Sequence, residues 1–95
     1  MSTEELAAKY IGSAEKVLAS LTRTQTPITL NEATVSEVLR WAHDYLADAK
    51  YYKAQGKLGT SLTSVAYCEG LLDGLRLMGA VNFVWPTRQQ PESKE

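Results

Sequence analysis

The sequence predicts an all-α fold, a three-helix up-down-up bundle with a short apolar C-terminal stub and a disordered tail. Apolar residues recur at steps of three and four in three separate stretches, as they do on one face of a helix. Short segments that contain proline or glycine separate those stretches. The length of 95 residues allows one small core. We therefore expect residues 1–80 to form one bundle and residues 81–95 to form the stub and tail.

The first predicted helix spans about residues 3–21 and is amphipathic. Ser2 and Glu5 have the spacing of a capping box, in which each side chain accepts a hydrogen bond from the other residue's backbone. Charged residues take the face opposite the apolar one. The apolar face carries Leu6, Ala7, Tyr10, Ile11, Ala14, Val17, Leu18 and Leu21.

The second predicted helix follows a break at Pro27, which disfavours helix at the residue before it. It runs to about Gln55, and Gly56 is its natural stop. Trp41 lies at the edge of its apolar face. Two capping pairs stay open for its start, Thr29 with Glu32 or Thr34 with Glu37. The predicted buried face carries Val35, Val38, Leu39, Ala42, Tyr45, Leu46, Ala49 and Tyr52.

The third predicted helix begins near Gly59 or Thr60 and ends at Gly79, since glycine adopts the left-handed conformation in which many helices terminate. Its short connection to the second helix predicts a helical hairpin. Antiparallel neighbours joined by short loops are typical of an up-down-up bundle.

Glycines inside the third helix each cost about 1 kcal/mol relative to alanine, which indicates close packing. Ala66, Gly70 and Gly74 are spaced by four and form a small-residue ridge. The expected register of the hairpin places Tyr45 near Gly70 and Trp41 near Gly74, so these five residues are the predicted helix-packing set. A leucine at Gly70 would then overpack the core. Approach of a ligand is the alternative, but no phosphate-binding loop precedes the helix.

A polar cluster is predicted where the second and third helices face each other, formed by Asp48, Tyr52, Glu69, Asp73 and Arg76. The last three residues have the spacing of a surface salt-bridge network. Two alternatives stay open, a network in which tyrosine hydroxyls donate to the carboxylates, and a site for a hard cation such as Mg²⁺. No histidine or second acid cluster completes a metal or catalytic site. We therefore predict no catalytic residue, no metal and no cofactor.

The C-terminal stub adds apolar surface that the three helices do not need for their core. Phe83, Val84 and Trp85 come just before Pro86, which ends regular structure. They either lap over the bundle of their own chain or form a contact with a partner. We predict a partner contact, with a homodimer as its simplest form, and a disordered tail from about residue 87.

Charge and composition limit the partners. Ten Lys and Arg against eleven Asp and Glu leave a net charge of −1, so no basic field attracts nucleic acid or an anionic membrane. Lys50, Lys53 and Lys57 gather at the end of the second helix, where they complement the helix dipole. A phosphate or RNA contact is the less favoured alternative for this lysine stripe. The most apolar stretch, 77–85, is too short to span a bilayer.

The cellular compartment is predicted from cysteine usage. Cys68 is the only cysteine and His43 the only histidine, which excludes an internal disulfide and a structural Cys/His zinc site. The polar, acidic N-terminal residues do not resemble a signal peptide. We expect a cytoplasmic protein.

Residues 45–79 contain an Asp-Ala followed by an aromatic pair, a glycine-containing turn, and then Tyr-x-x-Gly-x-Leu-Asp. These positions are Asp48, Ala49, Tyr51, Tyr52, Gly56, Tyr67, Glu69, Gly70, Leu72 and Asp73. The pattern resembles the small archaeal helical family known as domain of unknown function 357. The resemblance implies a three-helix bundle in an archaeal cytoplasm, sometimes beside a nucleotidyltransferase-like domain, and no established activity. Gly74 departs from the alanine usual in that family, and the residues after 80 lie outside its pattern.

Two functions follow from these features. The first is a non-enzymatic protein-interaction or self-association module, supported by the small size, the incomplete catalytic set and the apolar stub. The alternative is a nucleotide- or RNA-associated accessory protein that uses the tyrosines, Asp48, Glu69, Asp73 and the lysine stripe.

Overall fold

The computed structural model describes residues 1–24 and 27–87. These residues form three helices and no strand: α1 spans Thr3–Ser20, α2 spans Glu32–Ala54 and α3 spans Leu58–Leu77. The all-α prediction and its three helices are confirmed. The prediction of a disordered tail falls almost wholly on residues 88–95, which lie outside the described residues. None of the three helices has the length and apolar character needed to cross a membrane.

The starts of α1 and α2 are set by side-chain caps. The predicted capping box of α1 is confirmed, since Ser2 N donates to Glu5 Oε1 at 2.8 Å and Glu5 N donates to Ser2 Oγ at 3.1 Å. The hydrogen bond from the Ser2 backbone lowers the pKa of Glu5, because it favours the ionised carboxylate. Neither predicted pair caps α2. Asn31 does so instead, accepting from Thr34 N at 2.8 Å, and asparagine is one of the strongest capping residues.

The ends of α2 and α3 are set by glycine, as predicted. Gly56 and Gly79 have φ of +77° and +80°, the left-handed region that favours glycine. Gly56 N donates to Lys53 O at 3.0 Å, and Lys57 N donates to Tyr52 O at 2.9 Å, which together form a Schellman motif. The same pattern follows α3. The turn after Gly56 reverses the chain, so that α2 and α3 form the predicted hairpin.

The core lies between α2 and α3. Its buried side chains are Ala42 and Ala49 from α2 and Cys68 and Leu75 from α3. Near the turn, Ser61 Oγ donates to the Ala49 carbonyl oxygen at 2.6 Å, which ties the two helices together. The predicted buried face of α2 is largely confirmed, because all its members except Leu46 are buried or half-buried.

α1 stands apart from the hairpin. Among the described residues it packs against neither α2 nor α3, and none of its residues is buried. The predicted helices are thus present, but within residues 1–24 and 27–87 α1 is not enclosed in a bundle. The apolar periodicity of α1 shows that the helix has a face to bury, whereas it does not specify the surface that covers this face.

The small-residue ridge of α3 lies away from the hairpin interface. A Cβ atom added to Gly70 or Gly74 would meet nothing within 4 Å. Gly70 and Ala66 are both exposed. The predicted packing of aromatic rings against these glycines is therefore wrong. The prediction assumed that small residues mark the buried face, whereas the buried stripe of α3 is the apolar one.

Tyr45 and Trp41 occupy different places from those predicted. Tyr45 stacks on Tyr67, with ring centroids 4.4 Å apart and planes inclined by 25°. Trp41 is 45% exposed at the side of the hairpin. Cys68 and Leu75, one heptad apart on α3, form the stripe that packs against α2.

The position of Gly70 leads to a testable prediction. We expect Gly70→Ala to raise the free energy of unfolding by about 0.5–1 kcal/mol, because alanine is the better helix former and its Cβ has open space. Urea unfolding followed by circular dichroism measures the change. Gly56→Ala is the control and should destabilise, since its φ is +77°. A loss of stability in Gly70→Ala would instead support the prediction that an aromatic ring packs against this glycine.

Candidate functional site

Two grooves follow the α2–α3 hairpin, one on each side of the line where the helices meet. The first, here called the aromatic-acid groove, has a volume of about 470 Å³. The second, here called the apolar groove, is a shallow hollow of about 80 Å³. The aromatic-acid groove is lined by Trp41, Asp44, Tyr45, Asp48 and Tyr67. The apolar groove is lined by Leu39, Ala42, His43, Leu46, Cys68 and Leu72.

The aromatic-acid groove is built mainly by one face of α2. Asp44 and Tyr45 lie three and four residues after Trp41, and Asp48 lies four and three residues after them, so these side chains project to the same side of the helix. Tyr67 comes from α3 and completes the wall by stacking on Tyr45. Asp44 and Asp48 are exposed and carry negative charge into a groove with aromatic walls. Such a surface attracts cations and repels phosphate.

The apolar groove contains the only thiol of the chain. Burial raises the pKa of Cys68, and the negative charge of the neighbouring Glu69 adds to the shift. The thiol therefore stays protonated at neutral pH, and this environment is unsuited to a nucleophile. Leu39 and Leu46 flank it as apolar walls.

The C-terminal stub folds back on α3 of its own chain. Trp85 Nε1 donates to Asp73 Oδ1 at 2.8 Å, and Arg76 Nη2 donates to the same oxygen at 3.2 Å. Phe83 packs edge-on against Trp85, with ring centroids 4.9 Å apart, and the Arg76 guanidinium lies 5.6 Å from the centre of the Phe83 ring. Val84 points away and is 84% exposed. Of the three predicted partner contacts, Phe83 and Trp85 are thus half-covered by their own chain.

The predicted polar cluster is divided between two places. Asp73 and Arg76 form the predicted ion pair beside the stub. Asp48 lines the aromatic-acid groove instead. Tyr52 is half-buried, and its ring lies 5.2 Å from that of Tyr51. Glu69 is half-buried on α3. In the described part of the chain, no group of three or more His, Cys, Asp or Glu side chains is placed to hold a metal ion.

Sequence reasoning did not single out Asp44 as a site residue. The sequence nevertheless indicates its position, because Asp44 lies three residues after Trp41 and four before Asp48. This spacing places the three residues on one helical face. The contact between Trp85 and Asp73 was also missed. It joins residues twelve positions apart across a turn, which helical periodicity does not predict.

Comparison with known proteins places the chain in a family. The sequence model for the family described as "Protein of unknown function (DUF357)" matches residues 9–81, more than half of the chain. The chain belongs to the DUF357 family. The matched region holds most of α1 and the whole hairpin, including both grooves, and it ends before Phe83 and Trp85. The DUF357 chain matches no curated protein and no solved structure.

Proposed function

We propose that this DUF357 chain is a non-enzymatic interaction module that self-associates through α1. The uncovered apolar face of α1 is the observation that supports the proposal. Along this face Tyr10 is 61%, Val17 55% and Leu18 74% exposed, although their spacing is that of a buried helix face. A continuous apolar stripe of this kind marks an interaction surface.

The hairpin offers a complementary surface. It buries only four side chains, and the apolar groove beside them remains open to solvent. Leu46 at the edge of this groove is 36% exposed. In a dimer with two-fold symmetry, each α1 covers the apolar groove of the other copy. Removing these faces from water is favourable by about 25 cal/mol per Å² of apolar surface.

The charge distribution favours this module over a nucleotide- or RNA-associated protein. The rings that would stack on a base lie beside Asp44 and Asp48, whose charges repel phosphate. The side chains of the lysine stripe are exposed. Lys50 and Lys53 lie at the end of α2, and Lys57 follows Gly56. A reducing cytoplasm suits the module, because its only thiol is buried and forms no disulfide.

Sedimentation of the full chain from micromolar to millimolar concentration tests the proposal. We expect a reversible dimer. Val17→Glu should weaken the dimer at least about tenfold, because it buries a carboxylate without a partner in the apolar contact.

Gly12→Glu is the matched control, since it makes the same change of charge on the opposite face of α1, where an added Cβ atom meets nothing within 4 Å. It should leave the dimer unchanged. A chain that stays monomeric at millimolar concentration, or equal weakening by both variants, would overturn the proposal.

A further inference from the structure

We propose that the aromatic-acid groove binds an organic cation through its protonated ammonium or guanidinium group. Three ring systems line the groove, those of Trp41, Tyr45 and Tyr67. Trp41 and Tyr67 are 45% and 55% exposed, and the stacking of Tyr67 on Tyr45 leaves the other side of each ring uncovered by its stacking partner. The face of an aromatic ring attracts a cation placed over it, and tryptophan does so most strongly.

The carboxylates of the groove supply the matching charge. Asp44 and Asp48 lie one helical turn apart, a rise of about 6 Å along the wall. Neither carboxylate forms a hydrogen bond or an ion pair with another described residue, and the groove lining contains no lysine or arginine. Both acids are therefore able to accept N–H donors from a ligand that rests on the rings.

The composition of the groove distinguishes an organic cation from other ligands. A hard metal ion requires six or more oxygen ligands, whereas most of this wall is carbon. A nucleotide would stack its base but bring its phosphate against the two acids. Guanidinium and alkylammonium groups are less strongly hydrated and stack on aromatic faces. The volume of about 470 Å³ also leaves room for an alkyl stem.

The groove is separate from the surface proposed for self-association. The apolar groove lies on the other side of the hairpin contact, so a dimer formed through α1 leaves the aromatic-acid groove open. The proposal of cation binding and the proposal of dimerisation can therefore be refuted independently, and each is tested by its own experiment.

Nuclear magnetic resonance of the ¹⁵N-labelled full chain tests the site directly. The chain has two indole N–H signals, and Trp85, whose N–H is donated to Asp73, is an internal control for Trp41. The probes are spermidine, as a free polyamine, and the capped peptide acetyl-Ala-Arg-Ala-amide, as an arginine side chain of a protein. Sodium chloride at matched ionic strength and the same peptide with glutamine in place of arginine are the blanks.

We expect at least one probe to shift the Trp41 signal and to leave Trp85 in place. Binding by spermidine alone assigns the site to a free polyamine, and binding by the peptide alone assigns it to a protein side chain. Asp48→Asn should weaken binding at least about tenfold, whereas Glu15→Gln on α1, with the same change of charge, should not. Trp41→Leu should abolish binding while the helical circular dichroism of the chain persists.

Three results would overturn the proposal. The first is no shift of Trp41 with either probe at millimolar concentration. The second is a shift that sodium chloride reproduces at the same ionic strength. The third is equal weakening by Asp48→Asn and Glu15→Gln, which would indicate attraction by overall charge alone.

Discussion

Replacing Leu75 with alanine is expected to lower the free energy of unfolding by about 3 kcal/mol. Leu75 is 3% exposed and is the largest side chain in the core. Its loss removes apolar burial and leaves a cavity between α2 and α3. The other buried side chains are two alanines and a cysteine, so Leu75 supplies the largest share of the fully buried apolar volume.

Leu77→Ala is the matched control for this prediction. Leu77 lies two positions further along α3 and is 76% exposed, so the same change there should alter stability by less than about 0.5 kcal/mol. Urea unfolding followed by circular dichroism, at one fixed chain concentration, compares the two variants. Equal losses would show that α3 presents to α2 a face other than the one that carries Cys68 and Leu75.

The helices were predictable because their ends depend on neighbouring residues. The Ser2–Glu5 box acts within one turn, and Gly56 and Gly79 stop their helices through their own φ angles. The buried face of α2 followed from its strong apolar periodicity. Features of this kind require no knowledge of what lies across the fold.

The arrangement of the helices was less predictable because it depends on contacts between distant residues. The spacing of Gly70 and Gly74 is compatible with a packed ridge. In the structure, however, this ridge lies on a side of α3 where an added Cβ atom meets nothing within 4 Å. The α1 periodicity likewise contains no information about which surface the helix covers. In both cases the local pattern is correct, but it does not identify the surface that packs against the helix.

In the candidate site, too, the features within one helix were predictable and the contacts between helices were not. Trp41, Tyr45 and Asp48 were all singled out from the sequence, but in two separate roles. Helical spacing alone places these three on one face of α2, and the register of the hairpin, in which Tyr45 meets Tyr67 rather than Gly70, adds the ring that completes the groove. A difference of three residues along α3 places Tyr67 instead of Gly70 beside Tyr45, so the groove gains an aromatic ring where the sequence predicts a glycine.

Truncation after Ala80 is expected to lower the free energy of unfolding by about 2 kcal/mol without changing the oligomeric state. The truncation removes the half-buried rings of Phe83 and Trp85, together with the 2.8 Å hydrogen bond from Trp85 to Asp73. Hydrogen bonds to a charged acceptor contribute about 1.5–3 kcal/mol, and the ordering of residues 81–87 offsets part of the total.

A second truncation, after Thr87, separates the stub from the residues that follow it. This variant keeps the contact of Trp85 with Asp73 and should unfold like the full chain. Trp85→Phe keeps a ring but removes the N–H donor, so it should retain part of the stability that truncation after Ala80 loses. Sedimentation and urea unfolding of the three variants decide between the two roles of the stub. If truncation after Ala80 dissociates a dimer while the helical circular dichroism of the chain persists, the stub is an interface between chains.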